Sequence, residues 1–200
     1  MAKISTYQIA GGLSLSDMLI GTDVENDNAT KNFSLGDIYS LFNELNPPAC
    51  CSYYNMNTIQ VGVINFPFFV PFNTELISQG IYVDGGSIYF ESLGVYIVNV
   101  KLRAVHTSGG GDARVSICLR NPGGAIDYSL QTFTIPNTHT QSIDYSFMLN
   151  VNGLLGSQFE VSWFTDNLNV KLMSSAEVGQ YEPASPSSLL NIYKVAPFNE

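Results

Sequence analysis

Residues 94–105 read GVYIVNVKLRAV, and this run decides the fold. Tyr96, Val98, Val100, Leu102 and Ala104 recur at every second position, with Asn99, Lys101 and Arg103 between them. A period of two places the apolar set on one face of a strand and the polar set on the other, whereas a helix would scatter both around its axis. The same alternation recurs downstream. In ARVSICLR (113–120), Ala113, Val115, Ile117 and Leu119 share a face opposite Arg114 and Arg120. In SIDYSFMLNV (142–151), Ile143, Tyr145, Phe147, Leu149 and Val151 point inward. In QFEVSWFTD (158–166), Phe159, Val161 and Trp163 do so. Further strands are predicted at TIQVGVINF (58–66), IDYSLQTFTI (126–135), LNVKLMS (168–174) and LLNIYKVA (189–196), with a hairpin in GIYVDGGSIYF (80–90) around Asp84-Gly85-Gly86. SGGGD, NPGG and NGLLGS punctuate them as turns. Eight to ten strands of this length fold as an antiparallel sandwich or jelly roll.

Composition agrees. The 200 residues include 11 Tyr, 12 Phe and 17 Gly but only 12% charged side chains, a balance that suits pleated surfaces and tight turns. A net charge of −9 excludes non-specific attraction to nucleic acid or anionic membrane, both of which need basic patches. No run approaches a membrane span, and MAKISTYQIA at the start has no apolar core, so neither insertion nor a secretory signal is expected. Three cysteines, Cys50, Cys51 and Cys118, make an odd set without zinc spacing and are expected as thiols, with chain-to-chain bridging at Cys50 or Cys51 as the alternative in an oxidising medium.

One segment breaks the β pattern. Between Ser34 and Leu45, the side chains Leu35, Ile38, Leu41, Phe42 and Leu45 recur at helical spacing. Ser34 and Asp37 supply an N-terminal cap, and Pro47 and Pro48 end the helix. Two short strands, DMLIGTDV and ATKNFSL, precede it. A unit this small cannot build a sizeable core, so its stripe needs a partner surface. The expected organisation is an N-terminal attachment and trimerisation module at 1–46, a stiff neck at 47–57, and a jelly-roll head at 58–200.

The motif GSIYFESLGVYIVNVKLRA, with Gly94, Tyr96 and Val98, resembles the central signature of tumour-necrosis-factor-like jelly rolls, especially complement-type globular heads. SSLLNIYKV resembles that family's last strand. The likeness covers about 58–195, without the collagen-like stalk. The head is similar to small N-terminal modules of bacteriophage fibre and virion proteins, which share the order IGTD, polar loop, TKNFS, short helix. Members of both groups are typically trimers. The resemblances imply a homotrimeric, non-enzymatic virion fibre or spike at the particle surface. Residues 1–46 would hold other virion proteins, and the jelly-roll tip would contact a host receptor. A capsid-decorating protein without receptor role and a secreted trimeric binding or signalling module are the alternatives.

Candidate residues follow. Met148, Phe164 and Tyr193 (or Leu190 in its place) fall on outward positions though apolar, which marks an interface. With Leu35, Ile38, Leu41, Phe42 and Leu45 they are the expected trimer contacts. His106, His139 and Tyr181 are candidate receptor-loop residues, beside the adaptable turns Gly109–Gly111 and Gly123–Gly124. No catalytic residue, cofactor or metal site is expected. There is no Gly-x-Ser-x-Gly elbow, and DVENDN lacks the glycine and the glutamate of a calcium loop, which Asn28 and Ser34 replace. SGGGD has no following Gly-Lys-Ser/Thr, and the acids are too scattered for a paired-carboxylate glycosidase.

Overall fold

A computed structural model describes residues 16, 18–23, 29–45, 47–152, 158–176 and 184–197. They fall into two compact units that divide between Pro47 and Pro48.

In the first unit, β1 (Met18–Asp23) and β2 (Ala29–Ser34) pair antiparallel from Met18↔Ser34 to Asp23↔Ala29, and α1 (Leu35–Leu45) follows directly. The helix begins where the sequence places its cap. The Ser34 hydroxyl accepts the Asp37 N–H at 3.0 Å. One Asp37 carboxylate oxygen accepts the Ser34 N–H at 3.1 Å and the Ser34 O–H at 2.7 Å. This reciprocal box satisfies donors that the first helical turn leaves free. Hydrogen bonds from the Ser34 side chain, then from its backbone, hold the Asp37 carboxyl below the ordinary carboxylate value. A depressed folded value contributes stability above the unfolded value and loses it as pH falls through the folded one. The first turn of α1 is therefore expected to fray as pH falls below the ordinary carboxylate value. Asp37→Asn should abolish that acid step. Amide exchange of α1 across the titration measures it, and equal protection at neutral and acid pH would contradict the box.

The second unit is a jelly-roll sandwich. One sheet contains β3 (Cys50–Asn55), β4 (Ile59–Gln60), β6 (Thr74–Gln79), β9 (Gly94–His106), β13 (Thr140–Val151), β15 (Val170–Leu172) and β16 (Ser188–Ala196). Its lateral order is β13-β9-β16-β3-β6, with β15 and β4 continuing beside the end of β9. The other contains β5 (Phe68–Phe69), β7 (Ile81–Asp84), β8 (Ser87–Phe90), β10 (Ala113–Asn121), β11 (Gly124–Ala125), β12 (Gln131–Ile135) and β14 (Gln158–Thr165), ordered β12-β10-β14-β8-β7. All pairings are antiparallel. The alternating rows meet between the sheets as one core, with Tyr96, Val98, Ile117, Val161 and Trp163 all fully enclosed. Phe90 stands between Tyr96 and Phe159, with ring centroids 4.5 and 5.5 Å away.

The signature residues have physical reasons. Tyr96 closes the core and donates its hydroxyl to the Ser92 carbonyl at 2.7 Å. Val98 is buried beside it. At Gly94 a Cβ would meet the Ala196 carbonyl oxygen at 2.8 Å, because β16 bulges between Lys194 and Ala196 and its backbone approaches β9 there. Gly94→Ala is expected to destabilise the fold by about 1–3 kcal/mol, since the Ala196 backbone must move as well as the flexible Lys194 side chain. Denaturant midpoints compare the two proteins.

Three segments depart from the sequence reading. Residues 47–57 are not a neck: Cys50–Asn55 is strand β3, inserted between β16 and β6, with Cys51 and Tyr53 buried. The two prolines end the helix but leave a period-two segment behind them that fits the core. In 58–66, only Ile59–Gln60 pairs; Val63, Ile64 and Phe66 are exposed in a loop around Asn65, which has a positive φ. Asp127–Leu130 is likewise a loop, because the buried Ser129 hydroxyl donates to the Ile126 carbonyl at 2.7 Å and accepts the Leu119 N–H at 3.1 Å, drawing the chain out of the ladder.

Candidate functional site

Cross-strand partners in an antiparallel sheet project to the same side. On the outward face of the first sheet this aligns Met148, Ile97, Tyr193 and Cys50 in one row across β13, β9, β16 and β3. Met148 is 63% exposed and Tyr193 43%. Val195 beside them, and Leu76 and Ile77 on β6, are also exposed. The next row, Ser146, Asn99, Asn191 and Ser52, is polar but uncharged. Charge enters only one row further, where Lys101 and Asp144 pair at 3.2 Å in solvent. Arg103 lies beyond, its guanidinium donating to the Met173 and Ser174 carbonyls at 3.1 and 3.3 Å. The face is thus an apolar, neutral field bounded by charge, the make-up of an interface centre with its rim.

The predicted contacts divide. Met148 and Tyr193 share this face, and the register settles the last strand: Leu190 is fully buried and Tyr193 points out. Phe164 does not belong with them. It sits on the outward face of the opposite sheet, opposite Ser116 in the β10–β14 ladder, and is half-buried. Its parity was right, but parity does not say which sheet a strand joins. In the N-terminal unit Ile38, Leu41 and Phe42 are exposed, with Phe42 at 63%, and Leu35 is half-buried. The side chain of Leu45 lies outside the described residues.

The receptor-loop candidates fare unevenly. His106 is not a loop residue. It ends β9 at 1% exposure, and its Nε2 lies 3.1 Å from the Asn167 amide nitrogen. The signal was present, since 106 continues the even-numbered row of Tyr96 to Ala104. His139 is exposed in the turn before β13, with Nδ1 2.7 Å from the Asn137 carbonyl. Tyr181 lies outside the described residues, as do 24–28 of the acidic turn. Sequence reasoning missed Tyr128, which is 99% exposed at the tip of the loop before β12 with a φ of 61°. Among the described residues no three His, Cys, Asp or Glu side chains gather where a metal could bind.

All three cysteines are free thiols. Burial pushes the Cys51 thiol up to about 12 and raises that of Cys118 as well. Both should resist alkylation in the folded protein, because the thiolate is the reactive form. Cys50 lies in the row of Met148 and Tyr193, so self-association on that face should protect it. Iodoacetamide labelling is expected to modify none of the three in the assembled protein and Cys50 alone once assembly is broken. Fast labelling of Cys50 in the assembled protein would place the contact elsewhere.

No protein-family model and no curated protein sequence matches the chain. Among solved structures, murine APRIL is similar over 74% of this chain and 99% of its own, at 10% identity and a TM-score of 0.46. The globular domain of zebrafish complement 1qA is similar over 75% of this chain and 99% of its own, at 13% identity and a TM-score of 0.47.

Proposed function

We propose that the chain is a non-enzymatic, homotrimeric binding module whose copies meet on the Met148–Tyr193 face of the jelly roll. The observation that carries this reading is the apolar, uncharged row Met148–Ile97–Tyr193–Cys50, which no part of its own unit covers among the described residues. Exposed apolar surface of this kind costs free energy in a monomer and is offset when copies pack on it. The absence of catalysis is part of the proposal. His106 is enclosed against Asn167 and His139 turns to a backbone carbonyl, and among the described residues neither ring is hydrogen-bonded to a serine.

Attachment to a virion through residues 1–46 is a second reading. The order IGTD, TKNFS, helix supports it, together with the uncovered Ile38, Leu41 and Phe42 of α1. Truncation separates the two readings. Because β3 begins at Cys50, the test chain starts at Pro48. That chain is expected to remain a trimer by sedimentation and to fail to join particles on which the full chain is detected by immunogold labelling. A monomeric 48–200 chain would move assembly into the N-terminal unit. Full-length chain found only as a free secreted protein would remove the virion reading and leave the secreted binding module.

A further inference from the structure

We infer that the outward face of the second sheet carries a binding groove for a neutral saccharide. Nothing in this inference requires the trimer. In the β10–β14 ladder Arg120 stands opposite Glu160 and Cys118 opposite Ser162. Ser162 is in turn opposite Phe69 of β5, and Glu160 and Gln158 are opposite Ser87 and Tyr89 of β8. Phe69, Ser162, Glu160, Gln158 and Arg120 therefore project to one side. With Phe66 they line a groove of about 550 Å³, within the roughly 300–1,000 Å³ span of small-ligand sites.

The walls and the floor differ in chemistry. Phe66 and Phe69 are 57% and 50% exposed, high for phenylalanine. Both rings are nonetheless placed. Phe66 packs edge-on against Phe68 at 5.5 Å between centroids. Phe69 lies over Gly86 of the β7–β8 turn, so closely that a Cβ at 86 would come within 2.6 Å of its ring. The floor is planar and polar. One Glu160 oxygen accepts the Gln158 amide N–H at 3.3 Å and the Ser87 hydroxyl at 3.5 Å, which orients the carboxylate. Arg120 is half-buried as a residue, and its guanidinium has no hydrogen bond or ion pair among the described residues, although Glu160 is its register partner.

These features select a ligand class. An apolar ligand would strip water from Arg120 and Glu160 and return no hydrogen bonds, a heavy penalty. A phosphate or carboxylate would gain Arg120 but meet the Glu160 carboxylate in a protein of net charge −9. A neutral pyranose satisfies both sides. Its C–H face packs on Phe69, while adjacent hydroxyls donate to Glu160 and accept from Arg120. The opposite sheet carries the proposed assembly face, so the groove stays open in either state.

The test passes the full-length chain over immobilised neutral hexose-, N-acetylhexosamine- and deoxyhexose-terminated oligosaccharides, with sialylated ones beside them. The best binder is then titrated against isotope-labelled protein. Binding to a neutral glycan is expected, with amide shifts centred on Phe69, Glu160 and Ser162. Phe69→Ala should weaken it about tenfold. Glu160→Gln, which preserves shape and leaves the core untouched, should weaken it too, whereas Tyr193→Asp should not. No neutral binder, shifts remote from the groove, or full affinity in both groove variants would overturn the inference. Exclusive binding of sialylated glycans, strengthened by Glu160→Gln, would overturn it in favour of an anionic ligand.

Discussion

Tyr193→Asp is expected to convert the assembled protein into monomers of 21.9 kDa while leaving the jelly roll folded. Tyr193 is exposed on the outward face of β16, opposite Ile97 of β9 and Cys50 of β3, so in one chain the aspartate would sit in water at little cost. In the trimer it would be enclosed beside Met148, Ile97 and Val195 with no cation within the row. An unpaired buried carboxylate costs roughly 2 kcal/mol or more at each of three copies. The sum weakens association by about four decades or more, since about 1.4 kcal/mol is tenfold. Tyr193→Phe, which keeps the apolar ring, should remain assembled. Sedimentation at equal concentration reads both. A Tyr193→Asp protein that stayed trimeric would show that this face is not where copies meet.

Trp163→Ala should be the most damaging single truncation in the sandwich. Trp163 is fully buried on β14 and is the largest enclosed side chain. Its removal leaves a cavity between two sheets whose backbones are held by continuous ladders, so the site cannot collapse around it. Losses of about 3–5 kcal/mol are usual for such a change, against a total stability of about 5–15 kcal/mol. One detail sharpens the expectation. The Trp163 Nε1–H is buried without a hydrogen-bond partner among the described residues. Trp163→Phe gives up packing but also removes that orphaned donor, so it should cost far less than Trp163→Ala. Urea denaturation followed by far-ultraviolet circular dichroism, at matched protein concentration because assembly shifts apparent stability, gives the comparison. Equal losses for both variants would mean that the indole nitrogen has a partner.

Parity was the part of this fold that the amino acids spelled out. Every second residue from Tyr96 to Ala104, from Ala113 to Leu119 and from Phe159 to Trp163 faces the core, because a strand between two sheets has only two sides. Where parity was overruled, the cause was local. Cys50–Asn55 alternates between half-buried and buried, but the prolines before it suggested a linker. Val63 and Ile64 have the composition of a strand yet find no ladder partner, and Ser129 trades strand pairing for side-chain bonds to the backbone. Sites are harder still. Met148 and Tyr193 became neighbours only when the register of β9 with both β13 and β16 was known. Phe69, Arg120 and Glu160 come from three strands far apart in sequence, and no spacing in the chain announces that they share a groove.

The molar mass of the full chain by light scattering, at micromolar concentration in reducing buffer, tests the account most directly. Reducing conditions exclude bridging through Cys50, so any assembly must come from surface packing. The account predicts about three times 21.9 kDa, sharp and insensitive to dilution across the micromolar range. A stable monomer of 21.9 kDa under those conditions would contradict it.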